Sequence, residues 1–175
     1  PISNLKSLSL TIEPDVQRVD DTEKGTVFSV DGDTQFVHYR PLQPIIGVDV
    51  TSENPDEVAR SAFITGLVTR DELVTDMAFE SDSVVFPTRF ANVAGYRVPS
   101  DPGPFQDRQQ LNIIAGQYTS NAGQDFGTQR IFTSVDVQVF YQPTANTALV
   151  QTDVARASSV NDTRYGRDTT KSSVL

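Results

Sequence analysis

Period two is the dominant pattern along this chain. Leu8, Leu10 and Ile12 alternate with Ser7, Ser9 and Thr11, which puts the apolar set on one side of an extended strand. Thr26 to Val30 and Thr34 to Tyr39 are two β-rich runs separated by Asp31-Gly32, the strongest short hairpin signal, because a type I′ turn needs positive φ at both central residues. Further strands are expected over Ile45 to Thr51, Val84 to Phe86, Phe90 to Val98, Gln110 to Tyr118 and Arg130 to Tyr141. In the last of these Ile131, Thr133, Val135, Val137, Val139 and Tyr141 share a face, with Phe132, Ser134, Asp136, Gln138 and Phe140 on the other. Apolar residues on both faces suggest a strand covered on both sides, by a second layer or by another subunit.

Helix is expected only as a minor part. Asn54-Pro55-Asp56-Glu57 combines a cap residue, a proline at the first helical position and a glutamate three residues after the cap. Thr69-Arg70-Asp71-Glu72 repeats the capping spacing ahead of Leu73 and Met77, and Gly66 separates the two, so short helices are predicted between strands. Pro99 to Pro104 reads as a loop, since proline lacks the ladder donor. Ser120 to Gly127 reads as a second exposed connection; it and Pro99 to Gln106 are candidates for inter-subunit contact or the exposed rim, or for ordinary surface. About eight strands with little helix predict an all-β fold, a single jelly-roll-like β-sandwich over residues 1–141 with a short helical insertion. Residues 142–175 are mostly small and polar, with Tyr165 the only aromatic, and predict an extended or flexible C-terminal arm.

Composition narrows the chemistry. The 175 residues hold 23 acidic against 14 basic side chains, a net charge of −9, so nucleic acid is not a partner for the acidic body. With no cysteine, thiol catalysis, disulfides and Cys-based metal sites are excluded. Three lysines against eleven arginines fit a high-salt source or a GC-rich codon bias equally. Pro1 to Asn4 lacks the basic-then-apolar run of a signal peptide, and no apolar run approaches the roughly 20 residues that span a bilayer.

No residue is nominated as catalytic, cofactor-binding or metal-ligating. His38 is the single histidine, and neither a nucleophile elbow nor a phosphate-cradling glycine loop accompanies it. Asp31-Gly32-Asp33 lacks the ligand run and closing glutamate of a calcium loop and is read as a turn. Tyr165-Gly166-Arg167 behind Arg164 places cations near an aromatic, and Asn161-Asp162-Thr163 fits a glycosylation sequon; both are read as solvated tail. Contact rather than turnover is expected, so the chain is not expected to be an enzyme, and no cofactor is expected.

The size, the acidic low-lysine composition, the strands from Leu8 to Tyr141, the segment Pro55 to Met77 and the trailing arm together resemble the small single jelly-roll capsid proteins of membrane-containing icosahedral viruses of haloarchaea and Thermus. That resemblance implies a virion protein, a capsid subunit that forms oligomeric capsomers with a second shell protein, its arm touching neighbouring subunits. Two other roles are weighed beside it: a decoration, turret or tail protein of a tailed virus, and a soluble ligand-binding β-sandwich.

Overall fold

The structure, a computed structural model, describes residues 6–35, 37, 40–77, 85–120 and 124–144. Eleven strands account for its regular elements: β1 (Ser7–Ile12), β2 (Val16–Asp21), β3 (Gly25–Val30), β4 (Thr34–Gln35), β5 (Gln43–Asp49), β6 (Glu57–Val74), β7 (Val85–Phe86), β8 (Ala91–Ser100), β9 (Gly103–Ile114), β10 (Gly116–Ser120) and β11 (Gly127–Pro143). The fold is all-β. The arm beyond Thr144, His38, the sequon at Asn161 and the Tyr165 to Arg167 cluster lie outside the described residues.

β11 is the spine of the first sheet. One edge carries β6 antiparallel along its whole length, from Glu57 opposite Pro143 to Val74 opposite Gly127. The other edge is shared end to end: β1 pairs with Val135 to Phe140, β10 with Gly127 to Ile131, and β7 adds outside β10. The second sheet runs β4-β5-β9-β8, and β2 and β3 form a separate antiparallel ribbon. Between the two larger sheets Val135, Val137, Val139 and Tyr141 of β11 join Ala59 of β6 and Leu111 and Ile113 of β9, with Leu10 and Ile12 packed beside them. Burying an aliphatic side chain of this kind contributes about 1.5–3 kcal/mol. A smaller cluster of Phe28, Val74, Met77, Tyr118 and Ile131 lies against the ribbon.

The two sheets are joined within one residue. The run Gln110 to Tyr118, expected as one strand, divides at Ala115 into β9 of one sheet and β10 of the other. Ala115 bonds to both: its N–H donates to Pro44 O at 2.8 Å, and its carbonyl accepts from Phe132 N at 3.0 Å. Next to it, Gln43 and Gln129 are fully buried and exchange amide bonds of 3.1 and 2.9 Å across the sheets. Gly116 makes room for them, since a Cβ there would stand 2.5 Å from Gln129 Nε2 and 3.0 Å from Arg130 O.

The helical insertion expected between Pro55 and Met77 is corrected: this stretch is β6, the longest strand. Asn54 Oδ1 does accept a backbone N–H, but from Asp56 two residues on, at 3.0 Å. That is the Asx turn, which uses the same residue type as a helix cap to start a strand. Three register shifts in the β6–β11 ladder leave Arg60 and Thr65 of β6, and Thr133 of β11, without an opposite residue. Two of these residues satisfy the ladder with hydroxyls: Thr133 Oγ1 donates to Val68 O at 3.1 Å, and Thr65 Oγ1 to Asp136 O at 3.3 Å.

The Pro99 to Pro104 loop is corrected as well. β8 and β9 run through it as a hairpin with its turn at Asp101-Pro102. Pro102 is in the turn, and Pro99 and Pro104 fall where the ladder slips between Val98 and Ser100, so neither has a partner in register. The Asp31-Gly32 turn is as expected: φ is 50° and 82°, and Val30 and Asp33 exchange backbone bonds of 3.2 and 2.8 Å. Of the strand expected after it, over Thr34 to Tyr39, β4 covers Thr34–Gln35, while Phe36, His38 and Tyr39 lie outside the described residues. β2 went unpredicted because Val16 to Asp21 is largely charged and exposed.

Candidate protein-binding surface

Side chains that carry contact chemistry collect on two parts of the molecule. The first is β6 and the outer face of its sheet. Cross-strand register places Phe63 opposite Gln138 and Ser61 opposite Phe140, and the Phe63 and Phe140 rings meet edge to face with centroids 5.9 Å apart. Phe63 stays 58% exposed, Val68 59% and Leu73 65%, an apolar group that no described residue covers. Beside the two rings the outer face is polar, with Asp136 accepting from Thr11 Oγ1 at 2.7 Å and Gln138 donating to Ser7 Oγ at 3.2 Å.

No described strand pairs with the second edge of β6. Its far end alone is covered by the ribbon: Thr26 N donates to Asp76 O at 2.6 Å, Thr26 bridges Met77, and Arg18 Nη1 reaches Glu72 at 3.1 Å and Leu73 O at 3.4 Å. Arg70 pairs with the same Glu72 carboxylate. The hydrogen bond from Arg70, with a further one from Arg18, holds Glu72 below the usual carboxylate range against the opposing effect of burial. Arg130 meets Asp71 at 3.0 Å one position along. The charges on β6 are thus gathered at its ends, and Ser61 to Thr69 contains none. Edge strands are ordinarily guarded by lysine, proline or a covering element.

At the near end Lys6 Nζ contacts Glu57 Oε2 at 2.7 Å and lies 5.4 Å from the centre of the Tyr141 ring. The Lys6 bond draws the Glu57 carboxyl below its ordinary value. Tyr141 donates its hydroxyl to Val50 O at 2.7 Å, and burial pushes that phenol up. These contacts pin the starts of β1 and β6 to the end of β11.

The second part is the β8–β9 hairpin. Arg97 Nε and Asp107 Oδ1 brace it at 2.7 Å, and beyond that pair Phe105 is 68% exposed. This hairpin contains Pro99 to Gln106, on sequence a candidate for inter-subunit contact or the exposed rim, or for ordinary surface. The β6 surface was missed because the capping residues around it suggested helix; the signal that could have found it is the run of Ser, Phe, Thr, Val and Ile without a charge.

Among the described residues no group of three His, Cys, Asp or Glu is placed to hold a metal ion. Asp31 and Asp33 sit at the hairpin turn. What the arrangement offers is apolar and backbone contact.

Neither a family model nor a curated protein matches the chain. Solved structures do. One is the complex of the pro- and mature domains of RgpB from Porphyromonas gingivalis, with a TM-score of 0.54 and 15% identity over 79% of each chain. Another is a structure addressing the zymogenic latency of gingipain K from the same organism, with a TM-score of 0.54 and 9% identity over 81% of this chain and 90% of the other. At such identities the likeness is one of fold. These neighbours are bacterial pro-domains, and they overturn the expected capsid subunit, its virion location and its homo-oligomeric capsomers with a second shell protein and inter-subunit arm. The alternatives weighed with it, a decoration, turret or tail protein and a ligand-binding sandwich, give way with it.

Proposed function

We propose that this chain is a pro-domain-type β-sandwich that binds a mature, protease-type domain and holds it latent. The observation that carries the reading is the match of about four-fifths of the chain to structures of gingipain pro-domains. The chain's own chemistry supports it: Phe63, Val68 and Leu73 are exposed apolar groups along β6, suited to contact with a partner, and in this reading the chain works by binding. The return of β11 to lie beside β1 is the kind of closure found in jelly rolls, and we read the body as a reduced member of that architecture.

The test is to mix the full chain with the mature protease-type domain from its source organism and follow hydrolysis of a peptide substrate. A saturable fall in turnover, with a one-to-one complex on size exclusion, is the expected result. Unchanged hydrolysis and no complex at about 100 μM, a concentration that detects even weak association, would overturn the reading.

A further inference from the structure

Resting on the pro-domain reading, we infer that the second edge of β6, from Ser61 to Thr69, is the seat of an extended, uncharged segment of the mature domain, which adds to the first sheet as a strand through backbone hydrogen bonds.

The sheets end in edges of unlike character. β4 and β7 are two residues long, β2 carries Arg18, Asp20 and Asp21, and β8 contains Arg97 and Pro99. Shortness, charge and proline are the ordinary guards of a strand edge. From Ser61 to Thr69 β6 has none of them, and no described strand pairs with it there. Nine residues of strand present a row of outward N–H and C=O groups about 30 Å long, a template for strand addition.

The ribbon closes only the far end of this edge. Thr26 N donates to Asp76 O at 2.6 Å, and Arg18 Nη1 reaches Leu73 O at 3.4 Å. These bonds occupy acceptors beyond Arg70 and set the limit of the seat.

The side chains at the seat define what fits it. Phe63, Leu67 and Val68 are exposed, and Ser61, Thr65 and Thr69 are the polar members. A charged side chain laid along them would lose water without meeting an opposite charge. The charges beyond Thr69 are already matched, Glu72 with Arg70 and Arg18, and Asp71 with Arg130. The complementary segment is therefore uncharged over about eight residues, rich in β-branched and aromatic side chains, and packs on Phe63 and Val68. A second copy of this chain fits less well. Two β6 strands paired antiparallel about the middle of the seat, Thr65, would set Arg60 of one copy against Arg70 of the other, and like charges directly opposite are destabilising.

The test uses the full chain and the mature protease-type domain from its source organism, with residue-resolved amide exchange of Ser61 to Thr69 measured in the free chain and in the complex. The amides that point away from β11 are expected to exchange at least about tenfold more slowly in the complex. An inhibited complex without that protection would overturn the seat and leave the pro-domain reading standing, whereas no complex at all would overturn both. Protection already present in the free chain would also overturn it, making a second copy the occupant if it fades on dilution and this chain its own occupant if it does not. Val68→Lys, which places a guarding charge on the seat, is expected to raise the concentration needed for half-inhibition at least about tenfold, and Val19→Lys on the exposed β2 less than about twofold. Equal effects of the two would overturn the proposal, and the exchange comparison decides it without Val68→Lys should that variant fail to fold.

Discussion

Gln43 and Gln129 illustrate how a single pair decides whether a buried polar group is tolerated. Each amide donates to the other across the two sheets, and Gln129 Nε2 also donates to Arg130 O at 3.0 Å. Gln43→Leu would take the donor from the buried Gln129 Oε1, at a cost of about 1–3 kcal/mol. Replacing both with leucine removes the two amides together and takes from the rest of the protein only the Gln129 donor to Arg130 O, so the double variant should recover part of that loss when urea midpoints are compared. Strict additivity of the two single changes would show that the pair is not coupled. Glu72 tests the surface in the same way. Its carboxyl titrates below the ordinary 4.5 because Arg70 and Arg18 bond it. A folded-state value below the unfolded one gives stability that is complete above about pH 4.5 and lost as pH falls through the lower folded value. The urea midpoint should therefore decline on acidification below that point, and decline less in Glu72→Gln. The same acid slope in both proteins would remove Glu72 from the account.

At the level of elements, the sequence was most readable where local chemistry and tertiary pairing agree. Asp31-Gly32 demands positive φ and obtains it in a two-residue hairpin. Val135, Val137, Val139 and Tyr141 keep strict alternation because their part of β11 is covered on its inner face by β9 and flanked by β1 and β6. β6 failed to read as a strand for two physical reasons. Its start uses Asn54 in a turn that shares its residue types with a helix cap, and the unmatched Arg60 and Thr65 shift its inward set by one residue twice, erasing a single period. β11 carries the same lesson at Thr133: the shift there leaves both Ile131 and Phe132 buried, in different clusters, where alternation predicted opposite faces. The contact surface was illegible for the same cause, since exposure on an edge depends on which strands pair. The contrast between faces is measurable. Phe132→Ala, which removes a ring packed on Phe90 at 5.1 Å, should cost about 3–5 kcal/mol, whereas Phe63→Ala on the open edge should cost under about 1 kcal/mol in urea unfolding. Equal costs would mean that Phe63 is covered in solution by something that buries it.

Over the whole molecule, the two large sheets and the ribbon are held with different strength. Ala115 ties sheet to sheet through backbone bonds on both sides, and the main core spans β1, β6, β9 and β11. The β2–β3 ribbon joins this body through Val30 and Val16 at the main core, Phe28 in the smaller cluster, the Arg18 bonds to Glu72 and Leu73, and the Thr26 bond to Asp76. β3 is largely buried, but most of β2 is exposed on both faces, so lifting β2 off β3 sacrifices little buried apolar area. Native-state amide exchange in rising urea should accordingly give β2 a lower opening free energy and a weaker urea dependence than β11, because both quantities scale with the surface exposed. Within β3, the fully buried Phe28 should be the last position to open, since its ring stands between the ribbon and the first sheet with Val74, Met77, Tyr118 and Ile131. Truncating that ring with Phe28→Ala should lower the ribbon's opening free energy more than that of β11. A single exchange isotherm shared by β2 and β11 would instead make the ribbon part of one cooperative unit, with the smaller cluster as strong a tie as the core between the sheets.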